Sequence, residues 1–102
     1  MAITQGITPT FTLTLPETVD LTATENVYVT FAQGSLLLTK TGESLVVTEH
    51  EVDVYLSQEE TLSFSQGKVL VQLNWTYADH SRGCSEIVGI DWDANLLKEV
   101  LE

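Results

Sequence analysis

Apolar and polar residues alternate most regularly between Gly67 and Tyr77. Val69, Val71, Leu73, Trp75 and Tyr77 recur at period two and share one face of a strand. Lys68, Gln72, Asn74 and Thr76 take the other face, with Leu70 the one apolar exception. A strand of that length with one large apolar face needs a second layer to cover it. The rest of the chain supplies candidates. Residues 1–9 carry no clear period and end in Pro9, which predicts a loose N-terminal arm. Residues 10–15 alternate, with Phe11, Leu13 and Leu15 inward, until Pro16 stops the strand. Residues 17–25 read as a connection whose Val19 and Leu21 tuck inward. Residues 26–32 form a second clear strand, with Val27, Val29 and Phe31 inward and Tyr28 and Thr30 outward.

Gln33-Gly34 then reverses the chain into a strand over 35–40, glycine supplying the positive φ that a tight hairpin demands. A turn at 41–44, a short strand at 45–48, a turn at 49–51 and an alternating strand at 52–56 follow. Ser57-Gln58-Glu59-Glu60 is a capping box, in which Ser57 bonds the N3 amide and Glu60 reaches back. It predicts one or two helical turns over 58–63, crossing between sheets. After the long strand, a turn at 78–83 leads into residues 84–92. There Val88, Ile90 and Trp92 take the core face, and Gly89 marks a bulge or a close approach.

Beyond Asp93 the period changes. Leu96, Leu97, Val100 and Leu101 fall on one helical stripe, with Asn95 as N-cap. So short a helix is unstable alone and must dock. The expected fold is therefore all-β: an immunoglobulin-like antiparallel β-sandwich of about seven strands over residues 1–93. It carries one short crossing helix and a C-terminal helical tail over 94–102. The core should hold Phe11, Val29, Val54, Leu73, Trp75 and Ile90. The Cys…Trp…Cys pattern of antibody domains is absent.

At 102 residues the chain suits a single domain with one core. Its apolar content of 43% is ordinary, so a disordered or fibrous chain is not expected. No apolar run is long enough for a membrane helix, and no signal peptide is visible. Fifteen acids against Lys40, Lys68, Arg82 and Lys98 leave a net charge of −11. Such a surface repels phosphate backbones and anionic lipids, which argues against nucleic-acid or membrane partners. It keeps a small β-protein soluble and suits a partner with a basic surface.

Candidate chemistry is sparse. Cys84 is the only cysteine, so no intrachain disulfide forms, and it reads as a small buried apolar group. Asp91, Asp93, Asn95 and Glu102 fall at calcium-loop positions 1, 3, 5 and 12, but position 6 is Leu96 where the loop needs glycine. Asp79-His80-Ser81 holds triad residue types, yet neighbours in a turn point apart. His50 and His80 have no second ligand nearby for zinc. Asn74-Trp75-Thr76 is a glycosylation sequon lying mid-strand. No catalytic residue, cofactor or metal is expected, and the chain reads as a non-enzyme. Its candidate interaction element is the tail, through Leu96, Leu97, Val100 and Leu101.

Several segments carry a family likeness. They are Gly6-Ile7-Thr8-Pro9-Thr10-Phe11-Thr12-Leu13 running into Val19-Asp20-Leu21-Thr22, then Val27-Tyr28-Val29-Thr30-Phe31. Leu56-Ser57-Gln58-Glu59-Glu60-Thr61 and Gly67-Lys68-Val69 with Gln72 complete the set. In these the chain resembles small immunoglobulin-like proteins encoded among the structural genes of tailed phages and prophages of Gram-positive bacteria. It is similar too to the N-terminal domain of phage baseplate upper proteins. The resemblance implies a virion part of tail, baseplate or capsid, assembled in the bacterial cytoplasm. Its partners would be other virion structural proteins or further copies of itself. The alternative reading is an immunoglobulin-like module that binds a carbohydrate or host-surface ligand through loops at the sandwich end. The outward Tyr28 and Tyr55 favour it; Trp75 and Trp92, on core faces, do not.

Overall fold

Two β-sheets packed together make up the computed structural model, which describes residues 2–101. The strands are β1 (Ala2–Thr4), β2 (Thr10–Thr14), β3 (Asn26–Gln33), β4 (Leu36–Thr41), β5 (Leu45–Val47) and β6 (Glu51–Tyr55). Helix α1 (Gln58–Ser63) precedes β7 (Gly67–Thr76), β8 (Arg82–Cys84) and β9 (Val88–Asp93). One sheet runs β1-β9-β7-β3-β4, with β8 also on β7, and the other runs β2-β6-β5. The long alternating stretch is thus central: β7 pairs with β3 on one side and with β8 and β9 on the other. Strands 10–15, 26–32, 35–40, 45–48 and 52–56 all stand within a residue or two of their expected bounds.

The core lies between the sheets and is closed by aromatic rings. Phe11 from one sheet meets Phe31 from the other edge-on, with ring centroids 5.6 Å apart. Phe31 leads to Phe64 at the C-cap of α1, and Phe64 to Trp92 at 5.1 Å. Edge-to-face rings at these distances add attraction beyond their burial. Phe11, Val29, Val54, Leu73, Trp75 and Ile90 are all buried in this core, as alternation requires. The capping box forms as read: Ser57 Oγ accepts from the Glu60 amide, and Glu60 Oε1 accepts from the Ser57 amide at 2.9 Å.

Four expectations are corrected. First, the N-terminus is not a loose arm. β1 pairs in parallel with β9, Ile3 beside Trp92, and Ile3 is 1% exposed. Three residues are too few to show a period, so only the tertiary partner reveals this strand.

Second, the strand expected over 84–92 begins at Arg82 and is interrupted. Asn74 pairs with Cys84 and Val71 with Val88, so three steps along β7 face four steps opposite. The extra residue is a β-bulge over 85–87 and not at Gly89. Ser85 stabilises it: its hydroxyl accepts from the Leu73 amide and its carbonyl from Gln72 Nε2. Gly89 is instead a close approach, since a Cβ there would meet the Lys68 side chain 2.7 Å away.

Third, the bulge exchanges faces. Gly83 now lies opposite the inward Trp75, where a Cβ would overlap the indole ring, and Cys84 is exposed instead of buried. Val88 stays in register with the inward Val71 but is half exposed, because it lines an open cleft with Leu13, Leu15 and Val19.

Fourth, residues 94–101 form no helix. Eight residues cannot sustain one without a docking face, and side chains of the sandwich hold this segment by its backbone, as described next. Glu102 lies outside the described residues.

Candidate interaction surface

The tail is anchored by polar groups and leaves its apolar groups in water. Gln58, the first residue of α1, donates through Nε2 to the Leu101 carbonyl and accepts from the Leu101 amide through Oε1, both at 2.8 Å. This two-bond clasp reproduces the pairing of a neighbouring strand. At the other end, Asn95 Nδ2 donates to the Gln5 carbonyl at 2.9 Å, and Gln5 Oε1 accepts from the Asn95 amide. Asn95 Oδ1 then accepts from the Leu97 amide, turning the chain. Between the two anchors, Leu96 is fully exposed, while Leu97, Val100 and Leu101 are 51%, 50% and 56% exposed.

Gln5 is the hub of this arrangement. It is buried, and its Nε2 donates to the Phe64 carbonyl at 2.7 Å, beside the core aromatics. A buried amide left without partners costs free energy, so each of its bonds matters. Thr61 on α1 works alongside: its hydroxyl accepts from the Gly6 amide and donates to the Ile7 carbonyl, while its own carbonyl accepts from Trp92 Nε1. Only Asn95 signalled this site in the sequence, as a possible cap. Gln5 and Gln58 were not legible as partners, because ordinary glutamines carry no pattern.

Electrostatics tie α1 to the six-stranded sheet. Lys40 Nζ donates to both Glu60 carboxylate oxygens, at 2.7 and 2.8 Å. Desolvation pushes the Glu60 pKa up, but the Lys40 and Ser57 bonds outweigh it and hold the group below its ordinary value. On the outer face, Lys68 Nζ donates to Asp91 at 2.6 Å, and the Asp91 pKa is lowered chiefly by that bond.

The other singled-out groups are engaged elsewhere. Of the calcium-loop positions among the described residues, Asp91 is held by Lys68 and Asn95 by Gln5. Asp79 accepts from the Ser81 amide and hydroxyl within the hairpin loop, where His80 takes a φ of 70°. His50 Nδ1 lies 2.6 Å from the Val19 carbonyl. Asn74 accepts from Arg82 across the strand pair. Tyr55, as expected, is exposed, in a groove with Thr8, Ser57, Gln58, Glu59 and the tail residue Val100. The chain matches no family model, no curated protein and no solved structure among those compared.

Proposed function

We propose that this chain is a non-catalytic, immunoglobulin-like structural module of a tailed phage or prophage virion, acting by packing against other virion proteins. Supporting the immunoglobulin-like part is strand order. β9-β7-β3-β4 corresponds to strands G, F, C and C′ of a variable-type sandwich, and β2-β6-β5 to B, E and D. Supporting the packing part is one observation: four apolar side chains of the tail are presented outward on a backbone clasped by Gln58 and Asn95. Burying a fully exposed side chain such as Leu96 is worth about 1.5–3 kcal/mol, and the half-exposed ones about half as much, so a docking subunit gains from covering this strip. The virion assignment rests on the resemblance alone.

The test is light scattering on the full chain and on a version ending at Asp93. A larger assembly for the full chain than for the truncated one is the expected result. Two monomers of equal thermal stability would exclude the tail as a self-packing element. Tail or portal genes flanking the coding sequence are the second expected finding, and a secreted glycosidase cluster there would contradict it.

A second reading, a binding module for a carbohydrate or host-surface ligand, is favoured by the exposed Tyr55 in its polar groove. A glycan array on which wild type binds and Tyr55→Ala does not would establish it over the first.

A further inference from the structure

All fifteen acids and all four Lys and Arg residues lie from Glu17 onward, so the first sixteen residues carry no charged side chain. This neutral segment includes β2, which forms one edge of the three-stranded sheet. The backbone bonds from Leu15 N to His50 O and from Leu56 N to Pro9 O continue the β2–β6 register. Odd residues of β2 therefore bond β6, and the N–H and C=O groups of Thr10, Thr12 and Thr14 point to the open side. No strand pairs there among the described residues. Edge strands are ordinarily blunted by a charge, a bulge, a proline or a cover. Here Pro9 and Pro16 lie outside the strand, and Thr10, Thr12 and Thr14 are exposed between them.

We propose that this edge is an interface with a second copy of the chain, β2 pairing antiparallel with β2 about Thr12. Thr12 then meets its own copy, and Thr10 meets Thr14 of the second copy, each pair exchanging two hydrogen bonds. The pairing is isologous, as a two-fold dimer requires. The outward threonines become cross-strand Thr–Thr pairs, which are favourable. An apolar cleft of about 360 Å³ opens beside the edge, lined by Leu13, Leu15, Val19, Trp75 and Val88, and continues the interface inward.

The uncharged edge is where two acidic copies meet with least repulsion. Each copy carries −11 and repels its like over most of its surface, whereas a basic partner would seek the acidic faces. On β6, Asp53 accepts from Thr12 Oγ1, and Glu51 pairs with Thr14. In the paired sheet, Asp53 of each copy is separated from its counterpart by three strand spacings, about 14 Å. That exceeds the Debye length of about 8 Å at physiological ionic strength. Glu86, on the cleft rim, and Glu17, after Pro16, are the remaining nearby charges. They make the pairing favour higher salt. The interface is independent of the tail.

Sedimentation of the full chain tests it, across concentrations and at low and high salt. The expected result is a monomer–dimer equilibrium that strengthens with salt, with the Thr10, Thr12 and Thr14 amides exchanging slowly only in the dimer. Thr12→Pro removes one edge N–H without touching the β6 ladder, since that N–H faces away from β6. Thr12→Lys places like charges at the two-fold axis while finding Asp53 within its own copy. Each should raise the dissociation constant about tenfold or more at nearly unchanged melting temperature. If Thr12→Pro does not fold, Thr12→Lys decides. A chain that stays monomeric at millimolar concentration in high salt overturns the proposal. So does a dimer that survives both substitutions, one that weakens as salt rises, or one in which the three amides exchange freely.

Discussion

The two ends of the described chain lie against the same helix and meet opposite fates. Residues 2–9 and residues 94–101 both touch α1, the first through Thr61 and the second through Gln58, and Gln5 bonds Asn95 between them. The N-terminal end buries Ile3 beside Trp92 and Gln5 beneath Phe64. The C-terminal end offers more apolar side chains yet leaves Leu96 fully exposed and the other three half exposed. Spacing explains the reversal. A single isoleucine in a three-residue strand needs only one open edge of sheet, which β9 provides. Leu96, Leu97, Val100 and Leu101 share a face only on a helix, and the sandwich offers the segment hydrogen-bond partners for its backbone instead of an apolar trough.

The largest effect should come from removing the buried side of this contrast. Ile3→Ala is expected to cost about 2–5 kcal/mol by denaturant unfolding, the range for core Ile→Ala changes. An unchanged midpoint would mean that β1 is not seated on β9.

Gln5→Ala should come next, at about 1–3 kcal/mol, because the Phe64 carbonyl and the Asn95 amide lose their partner in a buried setting. The same variant should make the tail cleave faster under limited proteolysis. Loss of stability without faster cleavage would separate the two ends energetically.

Acid should act on the helix that both ends share. The Glu60 pKa is lowered from 4.5 in the folded chain. Its contribution is therefore fully present above that value and is lost as pH falls through the folded value. The expected difference between wild type and Glu60→Gln is under about 1 kcal/mol at neutral pH, since solvent still reaches the carboxylate. It should vanish on acidification. A difference that grows toward low pH would show that Glu60 is not held by Lys40.

The smallest effect belongs to the exposed side. Replacing Leu96 and Leu97 together by serine should change the stability of the monomer by no more than about 0.5 kcal/mol. A large loss on thermal melting would mean that the tail packs inward after all.

Period two in residues 10–15, 26–32, 52–56 and 68–77 was enough to place β2, β3, β6 and β7 and their inward faces. A half-buried strand has only one way to hide its apolar side chains. The capping box was equally legible, being a local exchange of two bonds within four residues. The bulge at 85–87 was not. One added residue leaves composition and alternation almost unchanged, yet it brings Gly83 under Trp75 and turns Cys84 out to solvent. The Gln5–Asn95 and Gln58–Leu101 contacts were equally hidden, because they join residues 90 and 43 positions apart.

By itself, then, the amino-acid order determined which residues alternate, where the helix starts and how acidic the surface is. Each is a property of neighbours along the chain or of composition. The tertiary structure alone decided that the N-terminus is a strand, that the tail is extended, and that β2 keeps an open edge. Those outcomes depend on which backbone N–H and C=O groups the rest of the fold leaves unpaired, and every residue except proline carries the same ones.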